Sequence, residues 1–421
     1  MNSPLTTKRS LFSDAFLRAV AATISIAVMA MLPACGGKLI KETSAEPIVK
    51  HEPAPPPVDF PTWLGNPART FYGTGPWSDK PLQVVWDFKT DWSSGRMHKI
   101  PWAGSGWPGQ PAIVGDRVYF GSNDARVYAL NSKDGSVIWS YKTGDSAKSS
   151  PAVAGDRLVI GNLDNHIYCL NANDGTLIWK LKTGFETDSS PAIVDGRVYI
   201  GGEDGFYYCL ELADGALVYK QPLGGSVEGG STILDGKIFV GTEAGDLYCL
   251  NQTDGTVVWK ARIGADSNST AAVTGGFVYT AAEDGIVSAF KQEDGAPVWT
   301  HRVEGGLNLK TKEKTGFWSS PIVSDGQVLL GSNNGYLYCL SAVDGKQVWA
   351  YLARAAIWGS SPVVDGRVIF GDKAGWVYAL SEEDGKLLSE IQIGENINAT
   401  PAVMNGHIYV GAFNGKFYCL K

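Results

Sequence analysis

Chemistry in this chain would have to come from its cysteines, its histidines or its grouped polar side chains. Five cysteines, Cys169, Cys209, Cys249, Cys339 and Cys419, each sit in a Tyr-Cys-Leu triplet, and Ala129, Ala289 and Ala379 occupy the same place in other copies of the pattern. A position that alternates between Cys and Ala is a tight packing position. Successive copies should lie beyond the 7 Å reach of a disulfide, so buried free thiols are expected. The five histidines, at 51, 98, 166, 301 and 407, form no His-x-x-x-His or His-x-x-Cys pair, and neither a Gly-x-Ser-x-Gly elbow nor a phosphate loop occurs. Neither a zinc site nor a nucleophile is expected. Lys148 and Asp188 stand just before Ser-Ser-Pro, with Glu228 and Asn268 in the matching slots. Three oxygen-bearing side chains from neighbouring units could surround a calcium ion or could line a wet channel. The channel is the reading adopted, with no metal assigned.

Aromatic residues form the other group. Trp92, Trp102 and Trp107 lie in "DWSSGRMHKIPWAGSGWPGQ", Trp318 ends the insertion "VEGGLNLKTKEKTGFW", and "ARAAIWG" holds Arg354 and Trp358. Counted against the repeat described next, none of the five tryptophans belongs to it. They could cover loop backbone or form a recognition surface, for which Trp and Arg are the usual anchors.

The elements that must carry these residues repeat. Units begin at Pro111, Pro151, Pro191, Ser231, Ala271, Pro321, Pro362 and Pro401, and a fixed period of about 40 residues signals a repeat architecture. Each unit reads as four short strands, in the third unit "PAIVDG", "RVYIGG", "FYYCLEL" and "LVYKQPL", with Gly, Asn or Asp at the junctions. The turn before the fourth strand carries Asp-Gly, as at Asp134-Gly135 and Asp174-Gly175. Five residues after that Asp comes an aromatic, Trp139, Trp179, Tyr219, Trp259, Trp299 or Trp349, except in the seventh unit, which has Ser389. The eighth unit stops after its third strand, and "LQVVWDFKT" (residues 82–90) has the pattern of the missing fourth. The expected fold is therefore all-β: an eight-bladed propeller of four-stranded blades, closed by an N-terminal strand that completes the last blade.

A net charge of −7 without basic runs excludes a dedicated nucleic-acid surface. Lys8, Arg9 and Arg18 precede an apolar run that meets Leu32-Pro33-Ala34-Cys35, and the run is short for a membrane span. This segment resembles a bacterial lipobox, which implies a signal peptide over 1–34 and a lipid anchor on Cys35. Gly36 after the cysteine implies delivery to the outer membrane, facing the periplasm. Residues 35–61, with five prolines between Pro47 and Pro57, read as an extended tether. Residues 62–421 form the propeller domain.

The "SSPAV…GRVY.G…YCL…DG..(I/V)W" unit and the preceding "FPTWLGNPARTFYGTGP" resemble the PQQ-like, quinoprotein-type propellers, over about residues 60–421. The enzyme branch of that group would imply a quinone and calcium in the funnel, but it carries adjacent cysteines and often a haem motif, and this chain has no Cys-Cys pair and no Cys-x-x-Cys-His. Lipobox, tether and compact blades together resemble the BamB family of the outer-membrane β-barrel assembly machinery. That resemblance implies a non-catalytic, cofactor-free lipoprotein scaffold, a monomer within a complex, that binds a barrel-assembly protein or other envelope proteins. The nearest counterpart of that family's Leu-x-Leu-Arg contact loop is Leu352-Ala353-Arg354. An envelope ligand- or glycan-binding propeller is the alternative, and a PQQ-dependent dehydrogenase a more distant one.

Overall fold

The computed structural model describes residues 59–91, 109–303 and 316–421. All of them belong to the compact unit Pro55–Lys421. The signal segment, Cys35, most of the tether, and Trp92, Trp102 and Trp107 lie outside the described residues.

Eight four-stranded antiparallel sheets follow one another around a ring. Seven are continuous, spanning 112–142, 152–182, 192–222, 232–262, 272–302, 322–352 and 363–392, and the eighth joins 402–420 to Val84–Lys89. We number these blades 1 to 8. Inner strands are two or three residues long and outer strands six, as in blade 3 with Ala192–Val194 inside and Leu217–Pro222 outside. The expected closure is present: Val84 pairs with Leu420 and Lys89 with Lys416, while Gln83 and Lys421 exchange two backbone hydrogen bonds of 2.9 Å. No sheet edge is left between the termini.

The repeated residues hold this ring together. In the turn before each outer strand the aspartate accepts from the backbone two residues on, as Asp174 Oδ1 does from Thr176 N at 2.9 Å, and the glycine takes positive φ, +76° at Gly175. That glycine is also a contact surface. The outer-strand Trp139 of blade 1 lies against Gly175 of blade 2, and its indole N–H donates to Ala172 O at 3.0 Å. The clasp recurs from Trp86 to Ser132 O, Trp179 to Leu212 O, Tyr219 to Gln252 O, Trp259 to Gln292 O, Trp299 to Ala342 O and Trp349 to Glu382 O. Each blade except blade 7, which has Ser389 in place of the aromatic, thus grips its successor. Behind the clasp the third strands are buried, and Cys169, Cys209, Cys249, Cys339 and Cys419 are fully enclosed, unpaired thiols. Burial pushes their pKa up, to about 12 at Cys169, Cys339 and Cys419 and about 11 at Cys209 and Cys249.

The lead-in segment before the closing strand has its own task. Phe60 pairs with Ile113 in blade 1, Pro61 O accepts from Val153 N in blade 2, and Pro67 O accepts from Ile233 N in blade 4. Further on, Tyr72 OH reaches Val323 O in blade 6, Trp77 Nε1 donates to Val364 O in blade 7, and Gly73 bridges Val403 in blade 8. The chain therefore runs beneath the inner strands and floors the central channel. Arg69, 1% exposed, ties the floor together by donating to Trp63 O at 2.5 Å and Ser231 O at 2.9 Å. Burial without a carboxylate partner lowers its pKa to about 9.

Candidate functional site: an axial chamber

The residues that open the units, Ser-Ser-Pro in four of them, build a belt of hydroxyl contacts around the axis, interrupted at Gly230 of blade 4. Gln110 N donates to Ser150 Oγ at 2.8 Å, Thr270 N to Ser320 Oγ, Ser320 N to Ser360 Oγ, and Ser360 N to Thr400 Oγ1, each also 2.8 Å. Gln110 Nε2 completes the circuit to Pro401 O at 2.7 Å. These hydroxyls give partners to the backbone N–H groups of Gln110, Thr270, Ser320 and Ser360.

Two residues before the belt hydroxyl comes a slot whose side chain turns to the axis, and the belt's register of 40 residues, 50 across the one insertion, identifies its occupants. They are Lys148, Asp188, Glu228 and Asn268 in blades 2 to 5, then Trp318 and Trp358 in blades 6 and 7, then Asn398 in blade 8. This corrects the sequence reading of the tryptophans. Trp318 and Trp358 are not loop residues outside the repeat; they hold the same slot as the four polar residues, Trp318 directly before Ser-Ser-Pro as Lys148 and Asp188 are, and Trp358 one residue farther ahead of it.

Lys148, Asp188, Glu228, Asn268, Trp318 and Trp358 line one cavity of ≈ 390 Å³, together with Trp63 from the floor, Glu186 and Glu203. A second ring backs the slot from the turn after each second strand. Asn268 Nδ2 donates to Glu283 Oε1 at 3.2 Å, and burial raises the pKa of that carboxyl, opposed by the nearby Trp318. In blade 7 the equivalent residue is Lys373, whose ammonium lies 3.7 Å from the ring centroid of Trp358. Trp318 and Trp358 have centroids 4.2 Å apart. The chamber therefore has an acidic arc on blades 3 to 5 facing an aromatic arc on blades 6 and 7.

Charge in the acidic arc is crowded. Lys148 pairs with Asp188 at 3.6 Å. Burial, opposed by Lys148, raises the pKa of Asp188. Burial and the neighbouring Asp188 raise Glu203 to about 7, and burial with Asp188 and Glu243 nearby raises Glu228 to about 9. Several of these carboxyls hold protons at neutral pH. Asp188 Oδ1, Asn268 Oδ1, Trp63 Nε1 and Trp358 Nε1 are buried without a hydrogen-bond partner among the described residues. No group of three His, Cys, Asp or Glu is disposed to hold a metal ion among the described residues.

Arg354 lies apart from the chamber. It forms a bidentate pair with Glu390, at 2.6 and 2.7 Å, and its guanidinium stacks 3.8 Å over Trp376. It staples the exit of blade 6 to the outer part of blade 7, with 43% of its side chain exposed.

With this geometry in hand, likeness to known proteins is informative. The sequence model of the family described as outer membrane protein assembly factor BamB matches residues 82–234, 208–314 and 302–421. The chain belongs to that family. Among solved structures, BamB from Moraxella catarrhalis superposes with a TM-score of 0.65 at 19% identity, covering 81% of this chain and 98% of that one. The quinohemoprotein alcohol dehydrogenase of Comamonas testosteroni gives 0.71 at 14% identity, covering 86% and 80%. At such identities both show the fold alone. A curated quinoprotein ethanol dehydrogenase of Pseudomonas putida is 59% identical over 34 residues, a stretch that is 8% of this chain and 6% of that enzyme. A match of that length is less than one repeat unit, so it reflects the shared blade.

Proposed function

We propose that this propeller is a non-catalytic scaffold of outer-membrane β-barrel assembly, anchored at the outer membrane through Cys35 and facing the periplasm, where it binds partner proteins. Membership of the BamB family across nearly every blade is the observation that carries this reading. The chemistry of the chamber supports the same side. The quinone of the dehydrogenase branch is a tricarboxylate, whereas the described lining of the cavity offers it one amine, already paired with Asp188, against the carboxyls of Glu186, Asp188, Glu203 and Glu228. The residues present do not fit that cofactor, and no catalytic step is assigned to the chain. Arg354 stacked on Trp376 supplies an exposed cation-and-ring platform for protein docking, backed by the buried Tyr378.

Crosslinked affinity purification from native envelopes, followed by mass spectrometry, tests the proposal. Recovery of a large outer-membrane barrel protein with its periplasmic repeats supports it, and reduced recovery with Arg354→Glu assigns the platform. Absence of any barrel protein, with quinone-dependent dye reduction restored by added quinone and calcium, would overturn it.

A further inference from the structure

Family membership accounts for a disc that binds proteins, but it leaves the inside of the disc without a task. We propose that the axial chamber binds an organic cation, an ammonium or guanidinium group on a short stem. The inference goes beyond the scaffold reading and does not depend on it.

Three independent observations converge. The first is the sign of the wall. Among the described residues, four carboxyl groups and one amine line the cavity, and the described positive charges around it have partners: Lys148 with Asp188, Lys373 with the face of Trp358, and Arg69 with carbonyls at the floor. A cation would relieve the crowding among Asp188, Glu203 and Glu228, whereas an anion would add to it. The second is the opposite wall. Trp318 and Trp358 present paired indoles, and an ammonium already sits 3.7 Å from the centroid of Trp358. That contact demonstrates the ring's capacity to bind cations, which desolvation strengthens. The third is unsatisfied polarity. Trp63, 8% exposed, lines the cavity and its indole N–H has no partner, and the buried Asp188 Oδ1 and Asn268 Oδ1 lack donors. Buried polar atoms left without partners are uncommon in native folds. Two acceptors on the acidic arc and one donor at the floor match a cationic head whose stem carries a carbonyl or hydroxyl.

The volume is that of a small-ligand site, at the lower end of the usual range. The ligand class can reach the chamber from two sources, as a free amine or as a Lys or Arg side chain of another polypeptide.

The test uses the full-length chain with ¹⁵N-labelled tryptophan indoles, with Trp63 and Trp358 assigned through Trp63→Phe and Trp358→Phe. Two probes are titrated: agmatine for the free amine and acetyl-arginine-amide for the side chain. The expected result is a saturable shift of both indoles. The blocked arginine should bind more tightly because its carbonyl gives Trp63 an acceptor. Binding of both probes points to small amines as well as side chains, and binding of the blocked arginine alone points to a polypeptide source. Glu203→Gln combined with Glu228→Gln should weaken binding by about tenfold or more while the melting curve shows a folded chain, since charge-assisted hydrogen bonds are lost. If that variant does not fold, the wild type is titrated with pentylurea, an uncharged analogue of agmatine, which should bind at least about tenfold more weakly. No saturable shift with either cation, equal binding of pentylurea, or unchanged binding by the folded double variant overturns the proposal.

Discussion

The backbone N–H of Leu82 donates to Ser389 Oγ at 2.9 Å, joining residues 307 positions apart in sequence. This contact explains the one outer strand that lacks an aromatic clasp. Every other outer strand reaches into the Asp-Gly turn of the next blade, but blade 8 has no such turn, because its outer strand comes from the other end of the chain. A tryptophan at 389 would have no glycine to lie on and no turn carbonyl to bond. A small hydroxyl instead accepts from the first residue of the incoming segment.

Ser389→Ala should therefore leave the Leu82 N–H without its partner at the closure, costing about 1 kcal/mol, whereas Ser389→Thr should retain most of the stability. Urea denaturation of the two variants checks this. Equal midpoints for Ala and Thr would show that the hydroxyl contributes nothing to closure.

The clasp itself predicts an asymmetry between two glycines. A Cβ at Gly175, φ +76°, would lie 2.6 Å from the Trp139 ring, while one at Gly155, φ +58°, meets nothing within 4 Å. Gly155→Ala should cost about 1–2 kcal/mol for the left-handed backbone alone. Gly175→Ala should cost roughly 1–3 kcal/mol more, because the ring must move off its carbonyl. Similar denaturation midpoints for the two would mean that the indole yields freely.

Much of this ring was legible in the sequence. The 40-residue register, the Asp-Gly turns, the Cys/Ala position and the divided eighth blade follow from local pattern, because each blade satisfies the same packing problem with the same residues. The chamber was legible only in part. Lys148, Asp188, Glu228 and Asn268 stand at even spacing, and Trp318 precedes Ser-Ser-Pro as Lys148 and Asp188 do, but Trp358 stands one residue farther from its Ser-Ser-Pro and joins the slot only once the belt fixes the register. Glu203, Glu283 and Lys373 carry no signal of their own, since their role depends on a side chain fifteen residues earlier on the same blade. Trp63 and Arg69 were visible only as part of a lead-in; that the lead-in floors the channel depends on contacts with blades 1, 2, 4, 6, 7 and 8.

The five propeller thiols should be silent in the folded state. With pKa values raised to about 11 or 12 by burial, the nucleophilic thiolate is scarce at pH 8 and the sulfur is enclosed. Ellman's reagent should find none of Cys169, Cys209, Cys249, Cys339 and Cys419 in native buffer and all five in guanidinium chloride. Rapid labelling of any of them in native buffer would mean that its blade opens locally.

The chamber carboxyls set the pH dependence of stability. Glu203 and Glu228 have folded pKa values raised to about 7 and about 9 from 4.5, so above pH 4.5 the folded chain holds protons that the unfolded chain has released. Their favourable contribution is complete below pH 4.5 and is lost as pH rises through 7 and then 9, each group contributing at most about 1.4 kcal/mol per pH unit. Lys148 opposes this trend at Asp188 and Glu203, and Glu243 reinforces it at Glu228. The surface turn aspartates act in the other direction: Asp134, Asp174 and Asp254 have lowered pKa values, and their contribution is lost as pH falls below the usual carboxylate range. The melting temperature should therefore be highest near pH 5 and decline toward pH 9. Glu228→Gln, which cannot ionise, should flatten the alkaline limb and leave the acid limb in place. A wild-type melting temperature that rises between pH 6 and pH 9 would show that these carboxyls ionise freely in the chamber, and with it that the acidic arc is far better hydrated than its packing indicates.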